Sequence, residues 1–148
     1  MVDNRIVQLY NENGGNTLQK LSDSELKIME ILWREKSFTA KDIAKELSNT
    51  VGWDKTTTYT ILRRCVKKNL IIRKEPNFIC EPSISKEQVS SYETKELIDK
   101  MYSGKIDSLV AFLLSDVDIT DEEIFRIKKM INDFDEWLEW MHVWLIPL

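Results

Sequence analysis

Residues 53–69 read Trp-Asp-Lys-Thr-Thr-Thr-Tyr-Thr-Ile-Leu-Arg-Arg-Cys-Val-Lys-Lys-Asn, and the fold turns on what this stretch is. Asp54 follows the turn-like run Ser48–Gly52 and suits a helix N-cap, while Asn69 suits a left-handed C-terminal cap. The spacing therefore predicts a helix from about Lys55 to Lys68. With Thr58 at zero on a wheel of about 100° per residue, Ile61, Leu62, Cys65 and Val66 lie within about 80° of it. That side is a core face. Thr56, Thr60, Arg63 and Lys67 fall opposite, on a face that is wholly polar and carries no acid.

Working outward, one helix-start device recurs four times: a Ser or Thr, an acid or Gln three residues later, and apolar residues flanking both. The pairs are Ser22/Glu25, Thr39/Asp42, Ser85/Gln88 and Thr120/Glu123, each a capping box with a hydrophobic staple, Asp42 being a near variant. They predict helices over about Asp23–Trp33 and Ala40–Ser48 before the quoted stretch, and two more beyond it; Gly104 announces a further start near Lys105. Directly after Asn69, two β-rich runs, Leu70–Lys74 and Phe78–Glu81, flank Glu75-Pro76-Asn77 and read as a hairpin that Pro82 ends. The order helix, helix, helix, hairpin within about sixty residues is that of a winged helix-turn-helix. The fold expected is mainly α with a small β-hairpin wing. Residues 1–20 form a flexible arm, 21–84 the winged-helix DNA-binding domain and 85–148 a helical dimerisation region of three helices.

Charge separates these parts. The formal net charge is −4, which alone disfavours a nucleic-acid partner, yet residues 54–74 hold seven cations against Asp54 alone. Residues 116–148 carry nine acids against Arg126, Lys128 and Lys129. Cys65 and Cys80 sit in apolar runs without metal-ligand spacing and read as reduced core residues. With neither a signal-peptide core nor an apolar span at the N-terminus, the expected location is cytoplasmic.

The quoted helix has the parts of a DNA reader. Lys55, Thr56, Thr57 and Thr60 lie toward its N-terminal end, where short hydrogen-bonding side chains approach base edges. Arg63, Arg64, Lys67 and Lys68, with Arg73 and Lys74 on the hairpin, are long cations suited to phosphate. Trp53 reads as a packing anchor.

The C-terminal helices ask for a partner. Ile106, Leu109, Val110 and Leu113, joined by Leu114, make a broad apolar stripe on a short helix. Ile124, Ile127, Ile131, Phe134 and Leu138, continued by Met141 and Leu145, alternate at three and four residues as a coiled-coil-like seam. Trp137, Trp140 and Trp144 form a second stripe expected to pack against the partner protomer or the chain's own domain. No cofactor or metal site is expected. The only histidine, His142, has no nucleophile and acid arranged around it, which argues against an enzyme. The rival reading is a winged-helix protein-interaction module without sequence-specific DNA binding, which acids on the outer face of the quoted helix would have favoured.

Leu21 to Trp33, then Trp53-Asp54 leading through Thr57, Thr60, Leu62 and Arg64 to Lys67-Lys68, and Met101-Tyr102-Ser103-Gly104 before an apolar helix resemble the penicillinase- and methicillin-resistance repressors and their copper-responsive relatives. The resemblance covers about residues 21–134. It implies a winged helix on each protomer of a homodimer and repression through inverted-repeat operators of antibiotic-resistance or stress genes. By position it gives the base-contacting places to Thr56 and Thr57. It also implies an upstream sensor or protease, because the resistance branch is induced by cleavage at an Asn-Phe pair in the first dimerisation helix. Glu96-Leu97 occupies that position here, a candidate proteolytic site with Glu in place of Asn. Two further departures are Asn69, where the family often has Gly, and the absence of the copper branch's C-terminal cysteine cluster.

Overall fold

A computed structural model of the chain describes residues 20–116 and 118–145, with side chains given through Glu139 apart from Asp116. The expected N-terminal arm, all but Lys20, lies outside the described residues, as do the side chains of Trp140, Met141, His142, Trp144 and Leu145. Among the described residues six helices and three short strands follow in order: α1 (Asp23–Glu35), β1 (Phe38–Thr39), α2 (Ala40–Val51), α3 (Lys55–Lys67), β2 (Ile71–Lys74), β3 (Ile79–Pro82), α4 (Lys86–Tyr102), α5 (Ile106–Asp116) and α6 (Asp121–Leu145). Two compact units divide the chain, Met1–Leu97 and Ile98–Leu148.

All four Ser/Thr starts cap helices. Reciprocal bonds form at Ser22/Glu25, Ser85/Gln88 and Thr120/Glu123, where the cap's backbone N–H donates to the acid or amide and the hydroxyl accepts from the third helical N–H. At Thr39/Asp42 the hydroxyl accepts from the Asp42 N–H and itself donates to the Asp42 carboxylate, since Asp is one methylene too short for the full box. Helix α2 runs past the expected end at Ser48 to Val51, and Gly52 stops it at φ 72°, a left-handed conformation that a Cβ would strain.

In the first unit, Ile28, Met29, Ile31 and Leu32 of α1 meet Ile43 and Leu47 of α2 and Ile61, Leu62 and Cys65 of α3 in one core. Leu70, Ile71, Phe78 and Cys80 of the hairpin region close it from the sheet side. The sheet has three strands in the order β1-β3-β2, all antiparallel, with Arg73 opposite Cys80 and Phe38 opposite Cys80 on the other side. Strand β1, two residues long, was not expected from the sequence: it is too short to show an alternation. Phe78, expected as the first residue of the second strand, instead sits in the turn at φ 49°, buried, with its carbonyl accepting the Ala40 N–H at 2.9 Å. Pro82 is the last residue of β3, opposite Ile71. The head extends beyond the hairpin, because Ile84 and Val89 are buried in its core, Tyr92 packs against it, and the Trp33 indole N–H donates to the Ile84 carbonyl at 2.9 Å.

The second unit is different in kind. Tyr102 and Phe112 approach with ring centroids 6.3 Å apart, and Phe134 and Trp137 at 5.7 Å. No side chain described between Ile98 and Glu139 is buried: Ile106 is 65% exposed and Phe125 70%.

Candidate nucleic-acid interface

Helix α3 is held at both ends. The Asp54 carboxylate accepts the Thr57 N–H at 2.7 Å, and this bond, followed by one from the Thr57 side chain, keeps the Asp54 carboxyl below its ordinary value. At the other end Asn69 adopts φ 61° and the Leu70 N–H donates to the Cys65 carbonyl at 3.0 Å, the left-handed stop that the sequence led one to expect. Thr58, Ile61, Leu62 and Cys65 are buried. Lys55, Thr56, Thr57, Thr60, Arg63, Arg64 and Lys67 are exposed, so the two faces fall where the wheel put them. Burial pushes the Cys65 thiol up to about 12 and the Cys80 thiol up to about 11, and both cysteines are free. Trp53 is partly buried against the core.

Tyr59, a residue whose role the sequence alone does not show, organises the outward face. Its ring stands edge-on to Phe78 at 5.9 Å, with Lys55 Nζ 5.6 Å and Arg63 Cζ 6.0 Å from its centroid. On Phe78 in turn lies the Arg73 guanidinium, 3.6 Å from the ring centroid. Three of the expected DNA-contacting cations, two on α3 and one on the wing, are thus gathered around two touching aromatic rings. The sequence held one signal for this: Tyr59 is the only aromatic residue in α3.

The hydroxyls of the threonine face differ. Thr60 donates to the Thr56 carbonyl at 2.9 Å and Thr57 is engaged with Asp54. Thr56 makes no side-chain hydrogen bond among the described residues.

The cations fall into three groups. Lys55, Arg63 and Lys67 form no ion pair among the described residues. Arg73 pairs with Glu75 and Lys74 with Glu81, both at the surface, where such pairs contribute little and exchange readily. Arg64, expected among the phosphate-binding cations, is engaged elsewhere: its Nε donates to Glu25 Oε1 at 2.7 Å and its Nη2 to the hydroxyls of Ser22 and Ser24. Lys68 joins the same carboxylate. Burial alone would raise the Glu25 carboxyl, but the bonds from Lys68, the Ser22 N–H and Arg64 outweigh it and hold the group below its ordinary value.

The expected dimer residues all lie on α5 and α6. Ile106, Val110, Leu113, Ile131 and Phe134 are exposed, and Leu109, Ile124, Ile127 and Leu138 half-buried. Glu96 and Leu97 are exposed on α4. Among the described residues no three His, Cys, Asp or Glu side chains gather where a metal could sit, and no helix is long and apolar enough to cross a membrane.

Residues 21–133 match the model of the family described as penicillinase repressor. The methicillin resistance regulatory protein MecI of Staphylococcus aureus is 31% identical over 119 residues, covering 79% of this chain and 97% of that protein. The penicillinase repressor of Bacillus licheniformis is 25% identical over 118 residues, 78% of this chain and 92% of that protein. A solution structure of the monomeric Bacillus licheniformis BlaI in complex with the blaP half-operator aligns at 31% identity with a TM-score of 0.42, over 49% of this chain and 90% of that one.

Proposed function

Since the chain belongs to the penicillinase repressor family, we propose the reading its head supports best: a DNA-binding transcriptional repressor that lays α3 in the major groove of its operator. The observation that carries this is the outward face of α3, acid-free and exposed, with unpaired Lys55, Arg63 and Lys67 beside Thr56 and Thr57. Thr56 and Thr57 would meet base edges, and Thr60 lies on the same face. Arg63 and Lys67, with Arg73 and Lys74 on the wing, would meet phosphates.

A homodimer completes the proposal. Helices α5 and α6 carry a run of large apolar side chains with none buried among those described, and a second copy is the partner that a self-complementary seam fits. Two heads on one dimer would read an inverted repeat. The regulated genes would be of the resistance or stress class, since the relatives are named for penicillinase and methicillin resistance. An upstream sensor or protease is part of the same proposal, with Glu96-Leu97 as the exposed pair it would reach.

The test is to retain fragments of total genomic DNA on the purified protein at physiological salt and sequence them. Fragments sharing an inverted repeat are expected. Retention without any common sequence, or none, would turn the reading toward the protein-interaction module.

A further inference from the structure

Glu25 and the two cations it holds form the one charge cluster of the head built around a buried carboxylate among the described residues. Resting on the DNA-binding reading above, we infer that Glu25 is a positioning residue that locks α3 onto α1 through Arg64 and Lys68 and thereby withholds both cations from the DNA backbone. The sequence presents seven cations in residues 54–74, and two of the four on the back half of α3 and its cap, Arg64 and Lys68, stand outside the electrostatic footprint.

The geometry carries this in three steps. First, the Glu25 carboxylate cannot follow its partners. Its Oε2 accepts the Ser22 N–H at 3.0 Å as half of the α1 capping box, and its side chain is 1% exposed. Second, the partners are held by more than one bond. Arg64 uses Nε on Glu25 and Nη2 on the Ser22 and Ser24 hydroxyls, at 3.2 and 3.1 Å, while Lys68 Nζ lies 2.8 Å from Oε1 and 3.0 Å from Oε2. Third, moving either cation to a phosphate would strip a partner from a carboxylate that water cannot reach, which costs more than an exposed ion pair returns. The wing pairs are the contrast within the same head: Glu75 and Glu81 are 60% and 31% exposed, so water can replace Arg73 or Lys74 when DNA takes them.

A cation that remains on Glu25 neutralises no phosphate and releases no counterion, so it leaves no mark on the salt dependence of binding. Arg64→Gln and Lys68→Gln in the full chain should therefore leave the slope of log K against log salt unchanged on any duplex. Lys67→Gln should lower its magnitude by about 0.9. Glu25→Gln removes the anchor's charge and frees the cations, so its slope should steepen by about 0.9 for each cation released, with tighter binding to non-operator DNA. A merely structural Glu25 would weaken binding and steepen nothing. Should Glu25→Gln fail to fold by circular dichroism, the Arg64→Gln and Lys68→Gln slopes decide alone. A folded Arg64→Gln whose slope drops as far as that of Lys67→Gln overturns the inference, as does a folded Glu25→Gln of unchanged slope. If wild type and Lys67→Gln alike show no salt-dependent binding, it is the DNA-binding reading that fails, and the inference with it.

Discussion

Thr56, Thr57 and Thr60 share the exposed side of α3 but differ in what their hydroxyls already do. Thr60 back-bonds to the helix and Thr57 serves the Asp54 cap, which leaves Thr56 with both donor and acceptor capacity for a base edge. Thr56→Ala should then remove about 1 kcal/mol of base preference at one operator position, and Thr60→Ala much less. Competition titrations against single-base operator variants measure this; equal losses would show that hydroxyl availability does not set the readout. Glu25 gives a second residue-scale expectation. Its folded carboxyl titrates below the ordinary 4.5, so as pH falls the unfolded chain takes up the proton first. The stabilisation from Arg64 and Lys68 is therefore whole at neutral pH and is lost below about 4.5 as the folded carboxyl protonates. Urea unfolding from pH 7 to pH 3 should show that decline in the wild type and a flatter profile in Glu25→Gln. Parallel profiles would mean that other carboxylates dominate the acid response.

An aromatic contact joins the wing to the recognition helix beside their shared apolar core. Phe78 is buried in the turn between β2 and β3, bonded through its carbonyl to the start of α2, edge-on to Tyr59 and covered by Arg73. Phe78→Ala should cost about 3 kcal/mol or more, as deletion of a buried aromatic ring does. It should also loosen the placement of Arg73, whose guanidinium lies on that ring. Tyr59→Leu keeps an apolar body on α3 while removing the ring faces beneath Lys55 and Arg63, so it should weaken operator binding with little change in stability. Thermal unfolding beside operator titration separates the two variants. A Tyr59→Leu protein that binds as wild type would show that Lys55 and Arg63 do not need that ring.

At the scale of the molecule, a folded head precedes a unit in which none of the described side chains is fully buried. The dimer proposed above makes the second head's contact intramolecular, which raises affinity by orders of magnitude without a new interaction. Sedimentation at tens of micromolar should give a dimer for the full chain and a monomer for residues 1–96. The fragment keeps α1, α2, α3, the sheet and the turns of α4 bearing Val89 and Tyr92, so it should retain its helical signal while losing tight operator binding. Equal affinities for fragment and full chain at physiological salt would refute bivalency. A protease cutting at Glu96-Leu97 would reproduce the fragment, and incubation with candidate host proteases followed by mass determination would locate the cut.

Local chemistry was legible in the chain. Caps at Ser22, Thr39, Ser85 and Thr120 are written in residues three apart, that at Asp54 in the turn-like run before it, and the core face of α3 in a wheel, because all depend on neighbours along one stretch of chain. Asn69 announced the left-handed stop for the same reason. What tertiary structure alone decided concerns residues far apart in sequence. Arg64 and Lys68 stand in the sequence as two cations of one basic run, and only the fold brings the buried Glu25 of α1 to them across some forty positions, a meeting that no helical period records. Strand β1 exists only because β3 lies beside Phe38 and Thr39, two residues having no periodicity of their own. Phe78 carried strand propensity, yet the core's demand for an aromatic ring at the turn, against Tyr59, overrode it.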